Sequence, residues 1–159
     1  MNAAVGLDSR LTDETHESLR LWLRLLTCSH LIENHVRKAL LTQFKTTLPR
    51  FDLMAQLERF PKGLQMGELS RRMLVTGGNV TGIVDQLERA GLIVRTEDPA
   101  DRRAYLVKLT KEGRQLFGQM ATEHESWIVN LFSGISKREQ RALNESLAHL
   151  RAQLTRETS

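Results

Sequence analysis

The stretch from Met66 to Thr110 constrains this chain more than any other. It opens with MGELSRRM, whose apolar residues fall on one side of a short helix, and breaks at Leu74-Val75-Thr76. GGNVTGIVDQLERA then supplies a second helical pattern, closed by Gly91. Glycine takes the left-handed conformation that ends many helices. LIVR and AYLVKL follow as two short strands around a polar tip, TEDPADRR. Two helices, a tight turn between them and a ribbon fit into fewer than fifty residues.

That order is the plan of a winged helix-turn-helix, in which one helix enters a DNA major groove and a ribbon lies beside it. The expected fold is mainly α with a small β-wing, flanked by long N- and C-terminal dimerisation helices. Residues 1–10 read as disordered, and 11–48 as a dimerisation helix. Residues 49–110 read as the winged helix-turn-helix, and 111–159 as C-terminal dimerisation helices. From about Thr12 to Lys45 one apolar stripe runs through Trp22, Leu25, Leu26, Ser29, Ile32, Val36, Ala39 and Leu40. Pro49 opens the next helix, to about Arg59, because its fixed φ suits a first helical turn. Phe60-Pro61-Lys62-Gly63 is a turn. Thr110 caps a helix that reaches about Phe132, and Ser136 with Glu139 forms a capping box for the last helix. There Leu143, Leu147, Leu150 and Leu154 are spaced four, three and four apart. That seam is the narrow kind used between helices, either between protomers or against the chain's own first helix.

Size and charge set looser bounds. The 159 residues suffice for one domain with a real core. No apolar run approaches the ~18 residues of a membrane span, the N-terminus lacks the pattern of a signal peptide, and a single cysteine excludes an internal disulfide and fits a cytoplasmic chain. The net charge of +4 leans towards an acidic partner. Residues 65–114 carry nine basic and seven acidic groups, the same as residues 1–64, so placement matters more than count.

The DNA-contact candidates follow from the geometry of the motif. Helices enter the groove by their N-terminal half, which points to Thr76 as N-cap, Gly78, Asn79 and Thr81. Gln86 can pair with an adenine edge, and Arg89 shares its face. Val80, Ile83, Val84 and Leu87 form the opposite face, towards Leu69 and Met73. Gly77, Gly78 and Gly82 would let backbone approach phosphate, and the lack of large side chains predicts sparse direct base readout. Arg71, Arg72, Arg95, Arg102, Arg103 and Lys108 lie near the turn and the wing. Asp101 is close enough to pair with Arg103 and aim its guanidinium at a narrow minor groove. Each of these charges has a plainer reading as a solvated surface group or a surface ion pair.

At these residues the chain resembles the MarR (multiple-antibiotic-resistance) type of regulator. The likeness runs from Leu19 to Leu154 and rests on MGELSRRMLVTGGNVTGIVDQLERAGLIVR, on DPADRRAYLVKLTKEGR and on the flanking long helices. It implies a triangular homodimer with two winged lobes on a double-stranded operator. Members mostly repress transcription from a palindrome and release it on binding a small molecule or on oxidation. The residue at Arg103 typically enters the minor groove. Gly82 departs from many members, which carry a larger polar or basic residue there.

TTLPRFDLMAQLER followed by GLQMGELSRRMLVTGGNVTGI also looks like the branch that controls degradation of plant-derived aromatic acids. Members there respond to hydroxycinnamoyl-CoA thioesters such as p-coumaroyl- or feruloyl-CoA. The family's effector pockets lie between the dimer helices and the winged lobe. Here that implies Trp22, Ser29, Ile32, His35, Phe51 and Met54, with Arg37, Lys38 and Arg50 at the mouth for CoA phosphates. Core packing and a solvated helix face are the competing readings.

Other classes find less support. Five scattered histidines make no HExxH, no CxxC is present, and no Gly-rich loop cradles a phosphate, so no enzyme, cofactor or metal site is expected. Cys28 could sense oxidants, but its place beside the apolar stripe predicts a buried, inert thiol. A winged-helix protein-interaction module without DNA binding is a further alternative, opposed by Thr76, Asn79, Asp101 and Arg103.

Overall fold

The computed structural model describes residues 16–73 and 79–157. The expectations for residues 1–10, for a helix start near Thr12, for the break at residues 74–76 and for Thr76, Gly77 and Gly78 lie outside the described residues.

Helix α1 spans Glu17–Phe44 and buries Leu23, Val36 and Leu40. It ends at Lys45, which takes φ 53°, and the amides of Lys45 and Thr46 close on the carbonyls of Leu41 and Leu40. Helix α2, Leu48–Arg59, starts where Thr47 Oγ1 accepts the Arg50 amide and Pro49 sets the first turn. It is the central element of the winged part. Leu48, Phe51, Asp52, Leu53, Met54, Gln56 and Leu57 are all buried in it. A helix buried over so much of its surface must be covered on several sides, and α2 touches α1, the helices at Met66–Arg72 and Val80–Arg89, and the strand at Asp101–Leu109.

After the turn at Gly63 (φ 96°) come β1, Leu64–Gln65, and α3, Met66–Arg72. Helix α4 spans Val80–Arg89, followed by β2, Ile93–Asp98, and β3, Asp101–Leu109. Helix α5 is Lys111–Leu131 and α6 is Lys137–Glu157. The sheet is antiparallel in the order β1-β3-β2. Strand β1 is an addition to the two strands expected: two residues are too few for any periodicity to reveal.

The wing also differs from expectation. Its strands run through most of TEDPADRR, leaving only Pro99 and Ala100 as the turn. Regular pairing runs from Ile93↔Leu109 to Glu97↔Tyr105, then jumps to Asp98↔Asp101. Arg102, Arg103 and Ala104 therefore stand on β3 without partner residues on β2, which is a bulge at the tip.

The chain divides into two compact units between His124 and Glu125. The core of the first is built on Leu40, Leu53, Met54, Leu57, Leu69, Val84, Ile93, Val107 and Met120, all almost fully buried. Its helix ends are tied tightly. Gly91, at φ 73°, ends α4 with its own amide on Glu88 and that of Leu92 on the Leu87 carbonyl. The Thr110 hydroxyl donates to the Gly91 carbonyl at 2.7 Å and accepts the Gly113 amide at 3.0 Å, capping α5 while holding the end of α4. Gly113 lies so close to Leu92 that a Cβ there would stand 1.9 Å from the Leu92 carbonyl oxygen. Only glycine fits that approach without moving backbone.

In the second unit Ser136 and Glu139 make the capping box: Ser136 Oγ accepts the Glu139 amide at 3.2 Å, and Glu139 Oε2 accepts the Ser136 amide at 2.7 Å. No residue of α6 is buried. Leu143, Leu147, Leu150 and Leu154 are 45, 37, 39 and 53% exposed. They line two shallow grooves, one shared with Ile128 and Phe132 and one with Arg151 and Thr155.

Candidate nucleic-acid interface

Helix α4 is set into the body by Ile83, Val84 and Leu87, which are buried, and turns Thr81, Gln86 and Arg89 outward. Its N-cap is Asn79, and the described helix begins at Val80. Asn79 Oδ1 accepts the Gly82 amide at 3.1 Å. A carbonyl oxygen three residues ahead is the ordinary way to satisfy a free amide of the first turn. The cap also accounts for Gly82. A Cβ there would stand 3.2 Å from Asn79 Nδ2, so a larger residue would crowd the capping side chain.

Three arginines expected at the turn and wing are engaged within the protein. Arg95 on β2 pairs with Asp85 and Glu88 on α4, and its amide approaches Glu88 Oε1 at 3.4 Å. The hydrogen bond to Asp85, then the charge of Glu88, raises the pKa of Arg95 further above its ordinary value. The two acids sit three residues apart on one helix face, a signal the sequence carried. Arg71 and Arg72 both reach Glu68, at 2.5 and 2.6 Å. The Arg71 hydrogen bond is the main cause that lowers the Glu68 pKa. Arg72 also lies 4.4 Å above the centre of the Phe60 ring.

Arg102, Arg103, Arg89 and Lys108 have no ion-pair partner among the described residues. Arg89 Nε donates to the Asp85 carbonyl at 3.3 Å, while Arg102 and Arg103 are exposed at the bulged tip. Lys108 sits opposite Val94, at the base of the ribbon, with its stem against Gly63.

Asp101 behaves differently from expectation. Its Oδ1 accepts the Arg103 backbone amide at 2.9 Å, so it shapes the bulge rather than gripping the guanidinium. Asp98 does similar work one step back. It accepts from Ala100 N at 2.9 Å and from Gln65 Nε2 at 2.6 Å, tying β1 to the hairpin. The Gln65 bond, then the Ala100 amide, holds the Asp98 carboxyl below the usual carboxylate range.

The effector candidates are spread over different surroundings. Trp22, Ser29, His35, Arg37 and Lys38 are exposed on α1 and Ile32 is half-buried, while Arg37 lies 3.5 Å from Glu33. Phe51 and Met54 are core: the Phe51 ring stacks on Phe117 at 5.5 Å and tilts against His124 at 5.0 Å. Burial lowers the His124 pKa. Arg50 reaches α4, where its Nε and Nη2 both donate to Gln86 Oε1, the first at 3.0 Å. Thirty-six residues separate that pair, so no local pattern announced it. Cys28 is exposed in this chain, contrary to the buried thiol expected, because it falls beside rather than within the buried part of the α1 stripe.

Known proteins decide the family. A profile of the MarR family matches residues 44–104. The crystal structure of a MarR family transcriptional regulator from Silicibacter pomeroyi superposes with a TM-score of 0.78 at 31% identity, covering 91% of this chain and 99% of that one.

The chain belongs to the MarR family.

The transcriptional activatory protein BadR of Rhodopseudomonas palustris is 31% identical over 119 residues, 74% of this chain and 67% of that protein. The uncharacterized HTH-type transcriptional regulator YkoM of Bacillus subtilis is 39% identical over 82 residues. The chain spans 52% of the length of that relative. These MarR relatives are transcriptional regulators, not enzymes. Among the described residues no helix is long and apolar enough to cross a membrane.

Proposed function

We propose that this MarR-family DNA-binding regulator acts in the cytoplasm as a homodimeric repressor of a pseudo-palindromic operator. In this reading α4 lies in the major groove with Asn79, Thr81, Gln86 and Arg89, and the wing brings Arg102 and Arg103 to the adjacent minor groove. Arg71, Arg72 and Lys108 serve phosphates, and Arg95 and Asp101 serve mainly to hold the reader in shape. The observation that carries the reading is the bulged tip, which sets Arg102 and Arg103 outward beside an exposed α4 face. The exposed leucines of α6 support the dimer, since a monomer seldom leaves such a seam in water.

The effector in this proposal is an aromatic acyl-CoA thioester of the hydroxycinnamoyl type. Its support is the resemblance across Thr46–Arg59 and the exposed Lys38 and Arg37 on α1. Release needs the effector to prefer the non-binding dimer by a few kcal/mol, because that preference sets the population shift. The test is to titrate the protein–operator complex with p-coumaroyl-CoA, free p-coumarate and CoA separately. Release by the thioester alone is expected. Release by the free acid alone would point to a simple phenolic-acid sensor. Release only by peroxide, lost in Cys28→Ser, would point to the exposed thiol instead.

A further inference from the structure

The contact between Arg50 and Gln86 bears on which base the reader selects. A glutamine amide normally offers one acceptor and two donors, and it can turn either end forward. A guanidinium offers only donors. With Arg50 Nε and Nη2 both on Gln86 Oε1, the amide has one allowed orientation: its oxygen faces α2 and its NH2 faces away. Gln86 lies on the exposed side of α4, while Arg50 is half-buried at the start of α2, where Thr47 caps the helix. The bidentate match to adenine needs both ends of the amide, the oxygen for N6 and the NH2 for N7. The grip of Arg50 takes the oxygen. What remains is a donor, which suits the two acceptors of guanine, O6 and N7.

We propose that Arg50 is a specificity-determining residue: it holds Gln86 so that the recognition helix reads guanine in preference to adenine at one base pair of each half-site. The proposal rests on the reading that α4 enters the major groove. It replaces the adenine pairing that Gln86 by itself suggests. It also gives Arg50 a task distinct from binding effector phosphates.

The experiment uses the full-length protein and a duplex selected by it from a random pool. Affinity is measured for all four base pairs at each position of the half-site, with the wild type, Arg50→Met, Gln86→Ala and the double variant. Circular dichroism confirms that each is folded. Arg50→Met frees Gln86 Oε1, so the guanine-over-adenine ratio at one position should fall by about tenfold or more, towards adenine. Gln86→Ala should erase the preference at that same position, and the double variant should match it. Two results overturn the proposal while leaving the DNA-binding reading intact. One is Gln86→Ala leaving every base preference unchanged. The other is Arg50→Met weakening all duplexes equally, as loss of a phosphate contact would. A folded wild type that selects no duplex overturns both.

Discussion

Arg95 and Asp85 join the wing to the recognition helix: a guanidinium on β2 meets a carboxylate on α4, and Glu88 completes the arrangement. In the proposed complex the acids would otherwise stand bare near the DNA phosphates. Arg95→Met is expected to weaken operator binding by roughly tenfold, since each bare carboxylate near a phosphate costs about 1 kcal/mol across solvent. The loss in folding stability should be smaller, about 0–1 kcal/mol, as for other largely solvated pairs. Adding Asp85→Asn and Glu88→Gln to Arg95→Met should recover most of the affinity. Anisotropy titrations on one duplex check this. No recovery would mean that Arg95 contacts DNA directly.

His124 gives stability a pH dependence. Burial against Phe51 lowers its pKa, so the fold accepts the neutral ring. Between that lowered value and the ordinary value near 6.5, the unfolded chain takes up a proton that the folded chain does not. Stability from this group is therefore full above pH ~6.5 and falls as pH drops through that window. Urea midpoints measured from pH 7.5 downwards should decline, and His124→Gln should flatten the decline. An unchanged slope in the variant would assign it to other groups.

Arg103 and Lys108 should behave differently when truncated. Arg103 sits in the exposed bulge, where removal opens no cavity, so Arg103→Ala should cost about 1–3 kcal/mol of operator affinity with an unchanged melting midpoint. Lys108 lies at the base of the ribbon with its stem against Gly63. Lys108→Ala should weaken all sequences about equally and reduce the salt slope by about 1. Salt series on operator and unrelated duplexes separate the two effects. A uniform loss from Arg103→Ala would remove it from base or groove readout.

Local chemistry made much of this fold legible. Pro49 in the first turn of α2, Gly91 after α4, Thr110 before α5 and the Ser136–Glu139 box each act within a few residues, and each appears where the sequence placed it. What stayed hidden depends on distant partners. Gln65 reaches Asp98 across thirty-three positions, and Arg50 reaches Gln86 across thirty-six. The cap that Asn79 makes on the Gly82 amide was not singled out in the sequence, because several residues ahead of α4 are of types that cap helices well. The wing tip was misread because turn residues marked a loop, whereas the backbone pairs as far as Asp98↔Asp101 and places the irregularity in a bulge.

The proposed function requires two winged readers presented by one dimer to one operator. Hydroxyl-radical footprinting of the full-length protein on its selected duplex tests this most directly. The expected result is two protected half-sites related by a pseudo-two-fold axis, centred about one helical turn, ~34–36 Å, apart. Protection should be lost from the flanking minor grooves in Arg103→Ala. Protection of a single half-site, or a footprint that Arg103→Ala leaves unchanged, would contradict the account.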